Sequence, residues 1–98
     1  MKIIITGVAG FIGFNLAKKL LQKKNTIYGI DNLDNYYSVS YKKERIKELK
    51  KFKNFNFKKI DVIKVNKKHF KNIKIDAIVH LAAQAGVRYS FNRPAKYI

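Results

Sequence analysis

The sequence predicts an α/β fold built on a parallel β-sheet, because strand and helix patterns alternate along all 98 residues. The predicted strands are short and almost wholly apolar, as strands buried on both faces of a sheet should be. Three glycines at G-x-x-G-x-x-G spacing, Gly7, Gly10 and Gly13, separate the first strand from the first helix. Right-handed crossovers place the strands in the order 3-2-1-4, the first half of a doubly wound sheet.

The first two strands flank an amphipathic helix. Residues 2–6 form the first strand, and residues 26–30 form the second, which ends at Asp31. The helix between them places its large apolar side chains near one face: Phe11, Ile12, Leu16, Leu20 and Leu21. No Gly follows this helix, and Asn25, next to Lys24, is a residue able to adopt the left-handed conformation there.

The second half of the chain continues the alternation. Ser40 is expected to cap a basic helix over residues 41–51, whose apolar stripe is Ile46, Leu49 and Phe52. A third strand at 55–60 ends in Asp61, a short helix covers 67–70, and a fourth strand covers 76–81. Pro94 predicts a last helix from Arg93 onward. The fourth strand is therefore expected to have no neighbour on its outer edge.

The glycine turn indicates a dinucleotide site. Gly7 allows the tight turn, Gly10 lets backbone approach a pyrophosphate, and Gly13 lets the helix lie close to the strand. Asp31, at the end of the second strand, is the residue type that accepts hydrogen bonds from ribose hydroxyls. Its charge, with no Arg or Lys in the next six residues, favours NAD over NADP. The alternatives are a purely structural turn and an Asp31 that only caps the following loop.

Composition excludes several classes of protein. The net charge of +16 suits a nucleic-acid binder, but only three of the 22 basic residues are Arg, the residue favoured for phosphate and base recognition. Cysteine is absent, and the two histidines have no companions at ligand spacing, so no metal site is predicted. No signal peptide or membrane-length apolar run is present, and a cytoplasmic protein without membrane or specific nucleic-acid partners is expected. A small basic polyanion-binding module stays open as an alternative.

With these loops in place, the whole chain resembles the extended short-chain dehydrogenase/reductase family of NAD-dependent sugar-nucleotide epimerases and dehydratases. The resemblance rests on TGVAGFIG, on Asp31-Asn32, on Asp61-Val62 and on HLAAQAGVRYS at 80–90. Within the family, that last segment and DNLDNYYSVSYK at 31–42 look most like UDP-glucuronate 4-epimerases.

The resemblance implies roles for individual residues. Pyrophosphate binding is implied for Gly7, Gly10, Phe11, Ile12 and Gly13. Contacts to the adenosine ribose are implied for Asp31 and Asn32, and contacts to adenine for Asp61 and Val62. The middle of the cofactor is expected against Leu81, Ala82, Ala83 and Gln84. Arg88 is expected to contact the sugar nucleotide, although a surface or loop-clamping role fits it nearly as well.

The family performs its chemistry with a Tyr-x-x-x-Lys pair, and no tyrosine of this sequence is followed by lysine four residues later. The resemblance therefore implies that residues 1–98 are part of a NAD-binding Rossmann domain, a fragment without the catalytic and substrate-binding portion. The resemblance implies that the complete enzyme is a dimer. It would oxidise C4 of a UDP-sugar and then reduce the resulting 4-keto intermediate from the opposite face of the sugar. A dehydratase or decarboxylase of the same family is the nearest alternative, and the fragment is expected to be inactive alone.

Overall fold

The structure, a computed structural model, describes residues 1–33, 39–61, 64–65, 67–81 and 96–97. Within these residues the helices are α1 (Phe11–Gln22), α2 (Val39–Leu49) and a 3₁₀ helix at Lys67–Phe70. The strands are β1 (Lys2–Thr6), β2 (Thr26–Asp31), β3 (Phe55–Lys59), β4 (Ala77–His80) and β5 (Lys96–Tyr97). All the described strand pairs are parallel, in the order β3-β2-β1-β4-β5.

The central strand β1 sets the register of the sheet. Ile3 is opposite Ile27 of β2 on one side and Ala77 of β4 on the other. The predicted α/β class and the strand order 3-2-1-4 are confirmed, because β3, β2, β1 and β4 lie side by side in that order and each pair is parallel.

Two apolar layers cover the two faces of the sheet. Alternate residues of β1 point to opposite faces, so Ile3 and Ile5 join one cluster while Ile4 joins the other. The first cluster receives α1 and α2, and the second receives the 3₁₀ helix through Phe70. Covering both faces explains why the first strand is apolar at consecutive positions rather than at alternate ones.

The buried row of α1 differs from the predicted one. Gly13, Ala17 and Leu21, spaced four residues apart, are the buried positions of the helix. Phe11 and Ile12 are 71% and 67% exposed, so their expected place on the buried face is wrong. Small residues occupy the sheet-facing row because the helix lies so close to the preceding turn, and a pattern of large apolar residues does not reveal such a row.

The chain leaves α1 through a left-handed residue, and that residue is Lys24, with φ of 70°. Asn25, although able to adopt this conformation, does not do so. Asn25 acts instead through its side chain, whose amide donates to the carbonyl of Leu20 at 3.0 Å. Lys24 bears a steric cost that glycine would not have.

The predicted apolar stripe of α2 is confirmed. Ile46 and Leu49 are buried in the first cluster, and Phe52 packs against it. The helix begins at Val39, so Ser40 lies inside its first turn rather than before it as predicted.

The outer edge of β4 carries a neighbour that the sequence did not predict. Ala77 and Ile78 are paired in parallel with Lys96 and Tyr97. The helix expected to run through these last residues is therefore wrong there, and Pro94 itself lies outside the described residues. A two-residue strand shows no periodicity in sequence, and its formation depends on the free backbone groups that the edge of β4 presents.

Candidate dinucleotide-binding site

The candidate site lies at the edge of the sheet where the parallel strands end. The glycine turn, residues 7–10, follows β1, and Asp31 is the last residue of β2. Asp61 and Leu81 come shortly after β3 and β4. Ligands of open α/β sheets bind at this edge, and four loops that the sequence singled out begin there.

The glycine turn uses its own amides to hold its shape. Gly7 has φ of 72°, in the left-handed region, and its N–H donates to the carbonyl of Ile30 at 2.8 Å. The N–H of Gly10 donates back to the carbonyl of Gly7 at 3.0 Å. These two glycines therefore shape the turn, and both N–H groups already have partners, that of Gly7 in β2 and that of Gly10 inside the turn.

The helix that follows offers the next backbone donors. Gly10 is the N-cap of α1, no side chain caps the helix, and its first turn contains no acidic residue. The first N–H groups of a helix have no acceptor inside the helix, and the helix dipole places partial positive charge around them. The main-chain amides of Phe11 and Ile12 are accordingly the groups best placed to receive an anion.

Gly13 allows α1 to begin this close to the turn. A Cβ atom at Gly13 would overlap the carbonyl oxygen of Gly7 and lie 3.0 Å from the Cα of Val8. A Cβ atom at Gly10 would lie 3.2 Å from the same oxygen. The role predicted for Gly13, close packing of helix on strand, matches these contacts.

Asp31 points at the glycine turn. Its Oδ2 atom accepts from the amide of Ala9 at 3.0 Å, and its Oδ1 atom accepts from the amide of Leu33 at 2.8 Å. The residue is only 7% exposed. A carboxylate offers about four acceptor positions, so two bonds to amides leave capacity for a pair of hydroxyls. Asp31 does cap the following loop, as the alternative interpretation held, and it also faces the turn.

Two cations of α2 reach this site, and neither contact was predicted from the sequence. The Nζ atom of Lys42 lies 3.8 Å from Oδ1 of Asp31, and Nη1 of Arg45 donates to the carbonyl of Ala9 at 2.9 Å. They lie one helical turn apart and so face the same way. Their spacing from Asp31 in sequence does not indicate either contact, although Arg45 is one of three arginines among 22 basic residues.

A polar contact joins the ends of β1 and β4 beside the turn. The buried hydroxyl of Thr6 and Nδ1 of His80 share a hydrogen bond of 2.8 Å. The amide of Leu81 donates to the same hydroxyl at 3.1 Å. This contact holds the end of β4 in place, just before the segment predicted to line the middle of the cofactor.

Several predicted site residues remain predictions. Asn32 and Asp61 are half-buried at the same edge of the sheet, and Leu81 is 37% exposed. The following residues lie outside the described part of the chain: Val62, Ala82, Ala83, Gln84 and Arg88.

The described residues contain no group of three or more His, Cys, Asp or Glu side chains able to hold a metal ion. None of their helices has both the length and the apolar character needed to cross a membrane.

Comparison with known proteins identifies relatives of this chain. Residues 4–98 match the model of the family described as GDP-mannose 4,6 dehydratase. The chain is 43% identical to a UDP-glucuronate 4-epimerase of Thermodesulfobacterium geofontis, over 97% of this chain and 30% of that protein.

Solved structures of epimerases and dehydratases also match most of this chain. UDP-glucuronic acid 4-epimerase from Bacillus cereus, in complex with UDP-glucuronic acid and NAD, matches 90% of this chain with a TM-score of 0.75 and 36% identity. The dTDP-glucose 4,6-dehydratase of Bacillus anthracis, in complex with NAD, matches 87% with a TM-score of 0.69 and 26% identity. The chain spans 28% and 27% of those two structures, so it corresponds to less than a third of either protein.

Proposed function

Because the chain belongs to the GDP-mannose 4,6 dehydratase family, we propose that it is the NAD-binding part of a sugar-nucleotide 4-epimerase acting on UDP-glucuronate. One observation carries the cofactor site: the buried carboxylate of Asp31 bonds the amide of Ala9 inside the glycine turn. Acceptors for a ribose diol thus lie beside the uncapped start of α1, which suits a diphosphate.

The proposed binding mode divides the work among these residues. The amides of Phe11 and Ile12 receive the pyrophosphate, while Gly7, Gly10 and Gly13 give the turn the shape and room that this requires. Asp31 accepts hydrogen bonds from the ribose hydroxyls and repels a 2′-phosphate, which favours NAD over NADP. When bound, NAD supplies a hydride acceptor for the substrate carbon that is to be inverted.

The remaining assignments follow the family resemblance. Asn32 is proposed to border the ribose, and Asp61 with Val62 to border the adenine. The segment after β4 is proposed to line the middle of the cofactor, through Leu81, Ala82, Ala83 and Gln84. Arg88 is proposed to contact the sugar nucleotide. The names of the relatives support UDP-glucuronate as that substrate.

The sequence contains no Tyr-x-x-x-Lys pair, so we propose that catalysis, most of the substrate site and the dimer contact belong to residues other than these 98. The chain by itself is then a cofactor-binding unit without turnover. We place the whole protein in the cytoplasm, in nucleotide-sugar metabolism and polysaccharide biosynthesis.

A titration of the 98-residue chain with NAD tests the cofactor site. The informative variant is Asp31→Asn, which keeps the shape of the side chain and removes its charge. Each lost charge-assisted bond to a hydroxyl is worth about 1.5 kcal/mol or more, so NAD affinity should fall at least about tenfold. The preference for NAD over NADP should shrink as well, because the repulsion of a 2′-phosphate is lost.

Asp76→Asn is the matched control, since it removes the same charge at the amino ends of the strands, away from the candidate site. Asp76 is exposed and accepts from the amide of Lys2 at 2.7 Å. NAD binding that is equal in both variants, and that disappears as salt rises from about 0.05 to about 0.2 M, would contradict a built site. That pattern would favour the basic polyanion-binding module, for which a chain of net charge +16 is suited.

A dehydratase is the second candidate, favoured by the matching family model and by the dTDP-glucose 4,6-dehydratase structure. The reading frame continued past Ile98, expressed whole and supplied in turn with UDP-glucuronate and with dTDP-glucose, which keeps the 6-hydroxyl that a 4,6-dehydratase eliminates, separates the two. An epimer of unchanged mass supports the epimerase, and a product that has lost water supports the dehydratase. A continued frame without Tyr-x-x-x-Lys would argue against both.

A further inference from the structure

Arg45 makes a contact that the proposed binding mode does not use. Its guanidinium extends from α2 across 36 positions of sequence to donate to the carbonyl of Ala9 at 2.9 Å. The side chain is half-buried. A charged donor on a backbone carbonyl in a partly dry setting is stronger than a bond between neutral groups.

The carbonyl that Arg45 holds belongs to the peptide bond between Ala9 and Gly10, the N-cap of α1. The amide of Gly10, in the same peptide, is bonded to the carbonyl of Gly7, and the amide of Ala9, in the preceding peptide, is bonded to Asp31. Arg45 therefore supplies the second contact to the Ala9–Gly10 peptide, on its oxygen. The plane of the Ala9–Gly10 peptide is thereby fixed, and Gly10 is the N-cap from which the first amides of α1 take their direction.

The contact also has an electrostatic consequence for an anion. A free carbonyl oxygen beside the uncapped start of α1 would direct partial negative charge toward the diphosphate. With the guanidinium on that oxygen, the carbonyl dipole is compensated and a full positive charge stands next to the turn. Lys42, one turn earlier on the same face of α2, lies 3.8 Å from Asp31 and is thus placed toward the ribose side.

We propose that Arg45 is a positioning residue of the dinucleotide site, which orients the Ala9–Gly10 peptide so that the amides of Phe11 and Ile12 present themselves to the pyrophosphate. The inference rests on the proposed function, because it assigns Arg45 to the same diphosphate site. It assigns α2 a part in cofactor binding beyond its packing on the sheet.

The test compares two ligands on the isotope-labelled 98-residue chain by NMR titration. NAD carries the pyrophosphate, whereas adenosine carries the ribose and base alone. Arg45→Met should weaken NAD binding about tenfold, the loss of one charge-assisted contact, and adenosine binding by under about twofold. Arg45→Lys restores a charged donor without the planar fork and should regain about threefold.

Lys18→Met is the matched control. Lys18 forms the 3.0 Å ion pair with Glu48 that also joins the first helix to α2, and it does not contact the turn. NAD affinity should change by under about twofold in this variant. Melting followed by circular dichroism reports whether each variant is folded.

The outcomes separate this inference from the function on which it rests. If the unsubstituted chain does not bind NAD, both fall. If it binds NAD and Arg45→Met binds equally well, or loses NAD and adenosine to the same extent, only the inference falls. If Arg45→Met does not fold, Arg45→Lys decides: a loss for NAD with no loss for adenosine supports positioning, and unchanged NAD binding overturns it.

Discussion

Replacing Gly13 with alanine tests how closely α1 lies on the glycine turn. The added Cβ atom would overlap the carbonyl oxygen of Gly7 and lie 3.0 Å from two further backbone atoms, the carbonyl carbon of Gly7 and Cα of Val8. None of these atoms is the flexible end of a side chain. The helix must therefore shift as a unit, and Ala17 and Leu21, now buried on the same row, would be drawn away from the sheet.

The expected size of this effect follows from two opposing terms. Overpacking costs about 1–3 kcal/mol, and backbone neighbours place this site at the upper end of that range. Alanine regains about 1 kcal/mol over glycine inside a helix. The net loss in the free energy of unfolding should be about 2 kcal/mol, which for a chain of this size lowers the melting temperature by about 10 °C.

Urea unfolding followed by far-ultraviolet circular dichroism measures the loss, and two controls define it. Asn15→Ala, at an exposed position of the same helix, tests helix propensity without steric conflict. Gly10→Ala meets only the oxygen of Gly7, at 3.2 Å, and should destabilise less. A Gly13→Ala chain as stable as the parent, or more stable, would refute the close approach on which the site geometry depends.

Two further substitutions probe other strained or crowded positions. Lys24→Gly should raise the free energy of unfolding by about 1 kcal/mol in the same urea assay, since φ of 70° is costly for lysine; Lys23→Gly, where φ is −90°, should give no gain. Gly29→Ala should cost about 1–2 kcal/mol, because its Cβ would lie 2.8 Å from Cγ1 of Val8 and 2.9 Å from Cε1 of Phe55. Adding Phe55→Leu should recover part of that cost in a double-mutant cycle, and additive losses would show that the ring is not the obstacle.

Much of the fold was predictable because its determinants are local. The apolar strands, the glycine spacing and the acidic residue after β2 are visible along the chain, and parallel order follows from crossover handedness. The buried row of α1 was less predictable, since Phe11 and Ile12 were expected on its apolar face with the leucines and are exposed instead. A helix that must approach a turn closely buries its smallest residues, and hydrophobicity alone does not reveal this requirement.

The cationic side of the site depended on contacts between distant segments. The sequence showed no Arg or Lys within six residues after Asp31, yet Lys42 lies 3.8 Å from its carboxylate. Arg45 is one helical turn further and 36 positions from the carbonyl that it contacts. Neither contact can be predicted from spacing along the chain, because both depend on how α2 packs on the sheet beside the glycine turn.

By itself, the sequence determined the α/β class, the strand order 3-2-1-4 and the place of the glycine turn and Asp31, since each depends on neighbouring residues and on chain handedness. Only the tertiary structure decided which atoms of that turn remain available. In the folded protein the amides of Gly7 and Gly10 already donate to backbone carbonyls. Asp31 accepts from the amide of Ala9, and Arg45 donates to the carbonyl of the same residue. Hydrogen bonds are satisfied in three dimensions, and the donors left for a ligand are those that the fold itself has not used.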